Sequence, residues 1–147
     1  FSEQVGPAHL FTEIARLDAA LTAAEAGRPS GMDRLDASIA ALDAMAPASD
    51  RYRAEARCRE AALRIDRGLD RAREAADQCL ALHGEAAAVS EWRRAEARLL
   101  AWAAQSPRGE PTAALRADLE RVADMLGADH PRARRLADWL EASADGG

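Results

Sequence analysis

Apolar residues recur every three or four positions along most of the chain. Phe11, Ile14, Leu17 and Leu21 make the first stripe; Met32, Leu35, Ile39 and Leu42 make the second. That spacing puts the apolar side chains on one face of an α-helix. Between the stripes lies Gly27-Arg28-Pro29-Ser30-Gly31, and Pro47 follows the second. Glycine after a last turn, with proline beyond, stops a helix. Two helices are therefore predicted, over about residues 8–26 and 32–46, joined tightly enough to form an antiparallel hairpin.

The pattern continues. A second hairpin, about 50–84, opens at Ser49-Asp50, turns at Gly68 and faces Cys58, Ala62, Ile65, Leu69, Ala72, Ala76, Cys79 and Leu80 inward. A third, about 87–127, uses Val89, Trp92, Leu99 and Trp102, then Leu115, Leu119, Val122 and Leu126. Its loop is Ser106 to Pro111. Pro131 starts a closing helix to about residue 143, carrying Ala133, Leu136 and Leu140. The expectation is one all-α domain of about seven helices spanning residues 1–147.

The hairpins also share a register. RAEARC at 53–58 returns as RAEARL at 94–99, an interval of 41 residues, and the same step back aligns Ala15-Arg16-Leu17. Gly27, Gly68 and Gly109 fall on one register position too. A fixed period of this size is the mark of stacked helical repeats, an α-solenoid.

Two features resemble the tetratricopeptide-repeat superfamily. Its second helices carry a small residue, then six others, then a small residue followed by a large apolar one. Ala37 with Ala44-Met45 fits, as does Ala72 with Cys79-Leu80; Ala117 followed by Asp124-Met125 departs. Leu126-Gly127-Ala128-Asp129-His130-Pro131 is similar to the LGxDHP junction of the longer repeats in kinesin light chains and bacterial signalling proteins. The glycine and tyrosine usual in the first helix are missing. The resemblance implies a right-handed solenoid whose first helices line a concave groove, as a free adaptor or as an array attached to a DNA-binding or kinase domain.

Composition narrows the function. The net charge is −5 and all 20 basic residues are arginine. An acidic chain lacks the cationic surface that nucleic acid demands. No apolar run reaches the ~20 residues of a membrane span. Cytoplasmic location is expected, and a start at Phe1 rather than Met suggests a processed or excised segment. Cys58 and Cys79 fall either side of Gly68 and so face each other across the hairpin. They read first as small buried side chains in a reducing compartment, with a disulfide as the alternative.

Candidate chemistry is sparse. His9, His83 and His130 sit at separate hairpin boundaries, without metal-ligand spacing, and His83 reads as a dipole partner at a helix end. No catalytic residues, metal or cofactor are expected. Arginine placement stands out instead. Arg16, Arg57 and Arg98 share one register position, and Arg53 and Arg94 share another, four residues earlier on the same face. Stacked, they form a ladder suited to the carboxylates of an acidic peptide. Residues 51–73 hold eight arginines against four acids. Against this, Glu55 to Arg59 and Glu60 to Arg64 have the spacing of internal ion pairs. Trp92 reads either as hairpin packing or as a peptide-contacting anchor beside the ladder. The expected function is a protein- or peptide-binding adaptor. The alternatives are a sensory or regulatory module of a larger protein, and a domain that forms homodimers through its end hairpins.

Overall fold

The computed structural model describes residues 7–45, 50–85 and 90–146. Among them are seven helices and no strand. They are α1 (Pro7–Glu25), α2 (Gly31–Asp43), α3 (Asp50–Arg67), α4 (Ala72–Glu85), α5 (Glu91–Ala103), α6 (Ala113–Leu126) and α7 (Pro131–Gly146). The expected roles of Pro47, Ser49 and Val89 lie outside the described residues.

Local chemistry sets most of the boundaries. Thr112 caps α6, its hydroxyl accepting the Leu115 N–H at 3.2 Å. His130 caps α7: its Nδ1 accepts from the Arg132 N–H at 3.1 Å, and its carbonyl takes the Arg134 N–H at 2.9 Å. The first two hairpins turn in one way. Gly27 (φ +76°) and Gly68 (φ +63°) take the left-handed conformation that ends a helix cheaply only for glycine. In both, the residue after glycine donates back five positions, Arg28 to Ala23 at 3.0 Å and Leu69 to Arg64 at 2.8 Å. Gly109, third in the register, does something else. Its carbonyl accepts the Trp102 indole N–H at 2.8 Å, which holds the longer third loop against the core.

Consecutive helices pack together throughout. In addition α1 touches α3, α3 touches α5 and α5 touches α7, whereas α2, α4 and α6 do not meet one another among the described residues. The odd-numbered helices thus form an inner layer. Two apolar clusters fill the space between layers. One joins Leu17, Leu21, Leu35, Ile39 and Leu42 to Ala56 and Leu63; the other joins Cys58, Ala62 and Cys79 to Leu99, Leu100, Val122 and Leu136. Helix α3 supplies both, so it is buried on two sides. Its alanines at 54, 56, 61 and 62 let neighbouring backbones come close.

Two expected core positions face solvent. Phe11 is 66% exposed, because α1 has only α2 and α3 beside it and buries the Leu17, Ala20, Leu21 and Ala24 side. Leu69 is 38% exposed because it lies in the turn after Gly68, where no helix covers it.

Helices α1 and α2 cross at Gly31. A Cβ placed there would lie 2.6 Å from Ala24 Cα and 2.7 Å from Ala24 N, both backbone atoms that cannot step aside. Gly31→Ala is expected to cost about 2–3 kcal/mol through this overlap. An unchanged urea midpoint would show that the hairpin opens freely.

Candidate binding cleft

The inner layer is not flat. Helix α7 swings its first turn across α5 toward α3, and a cleft of about 310 Å³ lies where the three meet. Cys58, Arg59 and Ala62 of α3 form one wall, with Glu25 from the end of α1. Glu96 and Leu100 of α5 form the floor. His130, Arg132, Arg135 and Leu136 form the other wall.

Arg132 is the clasp of this arrangement. Its Nη1 donates to Glu55 Oε2 at 2.6 Å, its Nε to Glu96 Oε2 at 2.8 Å, and its Nη2 to both Glu55 Oε1 (3.1 Å) and Glu96 Oε1 (2.5 Å). Arg93 adds a 2.7 Å bond to Glu55 Oε1. The two glutamates are the central residues of the two RAEAR copies, one period apart. Burial pushes the Glu55 carboxyl up, but the hydrogen bonds and charge of Arg132, with Arg93 behind them, more than reverse this and hold its pKa at about 2. Burial also disfavours the Arg132 cation. The Glu96 and Glu55 hydrogen bonds outweigh that and raise its pKa, so it stays charged. The Trp92 ring lies under both Arg93 (4.5 Å from its centroid) and Arg132 (5.5 Å), extending the cluster by cation–π contact.

The arginine ladder has a different environment. Arg57 reaches back to Asp43 of α2 at 3.2 Å and to Glu60 at 3.0 Å. Arg98 reaches forward to Asp118 of α6 with two bonds of 3.0 and 2.9 Å. Arg16 pairs with Glu13 on its own helix at 2.6 Å. Arg53 lies 3.3 Å from Asp43 and 3.5 Å from Asp50. Arg94 is half-buried on α5. None of these five, nor Trp92, lines the cleft. Asp118 is almost fully buried and also takes Arg121 at 2.7 Å. Arg98→Ala is expected to cost about 2 kcal/mol, since a buried carboxylate loses its bidentate partner. Denaturation at neutral pH measures this; a change below about 0.5 kcal/mol would place the pair among surface ion pairs.

No protein-family model, curated protein or solved structure matches the chain. The function therefore has to be read from the cleft itself.

Its cations are not equivalent. Arg59 is held by Glu25 through two bonds of 3.1 and 2.5 Å, in place of the expected partner Glu55. Arg132 is saturated by its two glutamates. Arg135, on the next turn of α7, has no ion-pair partner among the described residues and lies between the cleft and a shallower depression bounded by Asp66, Asp138 and Trp139. Arg132 escaped the sequence reading because it stands outside the repeat register, and Arg59 because its spacing from Glu55 reads only as an internal ion pair. Arg135 stands one 41-residue period after Arg94, but in the closing helix, beyond the three hairpins that define the register. The signals that pointed here were the glutamate inside each RAEAR copy and the 41-residue step from Arg94 to Arg135.

The cysteines form a disulfide, Cys58–Cys79, across the α3–α4 hairpin. The alternative reading of this pair is thus the one the structure contains. His83 is also corrected. It lies in the last turn of α4 but is 3% exposed, and neither ring nitrogen has a hydrogen-bond partner among the described residues. Burial, then the nearby Arg93 charge, lowers its pKa against the opposing charge of Glu55, which disfavours the cation a helix end would attract.

Proposed function

We propose that the chain is a helical-hairpin repeat domain that binds an acidic segment of another protein and performs no chemistry of its own. The inner layer of α1, α3, α5 and α7 and the matching turns at Gly27 and Gly68 support the stacked-hairpin reading. The observation that carries the binding proposal is Arg135. It offers a guanidinium with no ion-pair partner among the described residues, beside the apolar Leu100 and Leu136, in a cleft sized for one or two side chains. A carboxylate from a partner completes the alternation of charge that Arg59–Glu25 and Arg132–Glu96 begin. Binding of this kind rests on a charge-assisted, bidentate pair.

Fluorescently labelled ten-residue peptides of acidic, neutral and basic composition, titrated with the domain, test the reading. Acidic peptides should bind best, and Arg135→Glu should weaken them at least about tenfold, as expected for loss of a charged hydrogen-bonded pair. Arg57→Glu/Arg98→Glu, on the internally paired ladder, separates the two surfaces by its smaller effect. Equal binding of acidic and basic peptides, or indifference to Arg135→Glu, would overturn the proposal. Self-association is a second reading, favoured by Phe11 and Met125, 66% and 63% exposed on α1 and α6. Mass measurement across a dilution series decides it.

A further inference from the structure

Behind the cleft wall lies a group of side chains that the binding reading does not use. Cys79 and His83 are four residues apart on α4 and so share one helix face. Cys58 meets them from α3. The two sulfurs and a ring nitrogen of His83 all lie within 4.8 Å of one another, and all three residues are buried. A buried imidazole with both nitrogens unpaired, among the described residues, is costly enough to call for an explanation. A buried imidazole with an unpaired ring nitrogen and two sulfurs beside it has the makings of a metal ligand.

We propose that, once the Cys58–Cys79 bond is reduced, Cys58, Cys79 and His83 form a binding site for a thiophilic divalent cation of the zinc class. In a tetrahedral zinc site, bond lengths of about 2.3 Å to sulfur and 2.0 Å to nitrogen set neighbouring ligand atoms ~3.5–3.8 Å apart. A cluster spanning at most 4.8 Å lies close to this spacing. Two thiolates and a divalent cation sum to zero charge, which suits a buried position. Three protein ligands leave a fourth position for water or a small donor. The access route is the cleft, since Cys58 forms part of its wall.

The switch balances as follows. A dithiol reductant gives two electrons and two protons to the Cys58–Cys79 bond; the S–S bond breaks, two thiols form, and the reductant becomes a disulfide. The cation then displaces both thiol protons to solvent as two S–metal bonds and one N–metal bond form. Reoxidation by a disulfide releases the cation. Oxidised and reduced surroundings thus select between a covalent staple and a metal staple at one point of the hairpin.

The test uses the full chain, oxidised or reduced with a phosphine under argon, titrated with Co(II) as a spectroscopic probe and with Zn(II) against a chromophoric chelator. The expected result is one equivalent bound by the reduced chain, with thiolate-to-cobalt charge-transfer bands, and none by the oxidised chain. His83→Gln, which leaves the cysteines intact, should weaken binding by at least about 100-fold. Circular dichroism accompanies each step. If reduction loosens the helices, added zinc should restore them. Reduced protein without thiolate–cobalt bands would overturn the proposal. So would His83→Gln binding as tightly as wild type, or lost helicity that zinc fails to restore.

Discussion

Arg132→Ala is expected to lower the unfolding free energy by about 3–5 kcal/mol at neutral pH, the usual result of removing one partner from a buried ionic cluster. Glu96 is 5% exposed and takes two of its bonds from Arg132. Without that arginine its carboxylate stays buried with no ion-pair partner among the described residues. Glu55 keeps Arg93, so the loss should fall mostly on Glu96. A domain typically has only about 5–15 kcal/mol in hand, so the change should be plain in a urea titration. The double variant Arg132→Ala/Glu96→Gln should recover part of the loss, because it removes the stranded charge. A loss below about 1 kcal/mol for the single change would mean that α7 is not clasped to α3 and α5 as described.

The same cluster sets an acid limit. The Glu55 carboxyl has its pKa lowered from 4.5 to about 2 by the net effect of its arginines. A group whose pKa falls on folding stabilises the native state when ionised in both states. Its contribution is present above about pH 4.5 and lost as pH falls through about 2. The size is on the order of 3 kcal/mol. Stability followed from pH 6 downward should therefore fall across this window, and Glu55→Gln should flatten the slope. An unaltered slope in Glu55→Gln would assign the acid sensitivity to other carboxylates.

Breaking the Cys58–Cys79 bond is the second large effect. The two cysteines are 21 residues apart, and closing a loop of that size restricts the unfolded chain by about 3 kcal/mol. For a chain of this length that corresponds to a fall in Tm of roughly 6–12 °C. The double variant Cys58→Ala/Cys79→Ala should match reduction of the wild type in metal-free buffer. Zinc should raise the Tm of the reduced wild type and leave that of the double variant unchanged. Equal melting of oxidised and reduced protein, both without metal, would show that the α3–α4 hairpin holds itself together without the bond.

Much of the fold was legible along the chain. Helix existence, and most ends, followed from apolar spacing and from turn residues. Gly27 and Gly68 do the same work because a left-handed backbone is cheap only for glycine. Thr112 and the His130-Pro131 pair start helices because they satisfy free N–H groups or need none. These are local rules that need no neighbour. Phe11 broke the pattern because a helical stripe shows that one face is apolar, not how far the covering helices extend.

The site was less legible. Register alignment singled out Arg16, Arg57 and Arg98, yet equal positions acquired unequal partners, on α1 itself, on α2 and on α6. Arg59 had Glu55 one turn away and pairs with Glu25, 34 positions back. Only Glu60–Arg64 formed as its i, i+4 spacing suggested, at 2.8 Å. A long flexible arginine takes whichever carboxylate the packing leaves nearest and least hydrated, and that choice is made across helices.

By itself, the sequence determined the seven helices found among the described residues, the hairpin turns, the shared period and the opposition of Cys58 to Cys79. Each follows from interactions within a few residues or within one hairpin. Tertiary structure alone decided that Arg132 joins Glu55 to Glu96, that Arg135 lacks an ion-pair partner among the described residues, and that His83 lies buried beside the sulfurs. Those outcomes depend on which charges share a desolvated space, and side chains as much as 77 positions apart come to share it only when the helices pack.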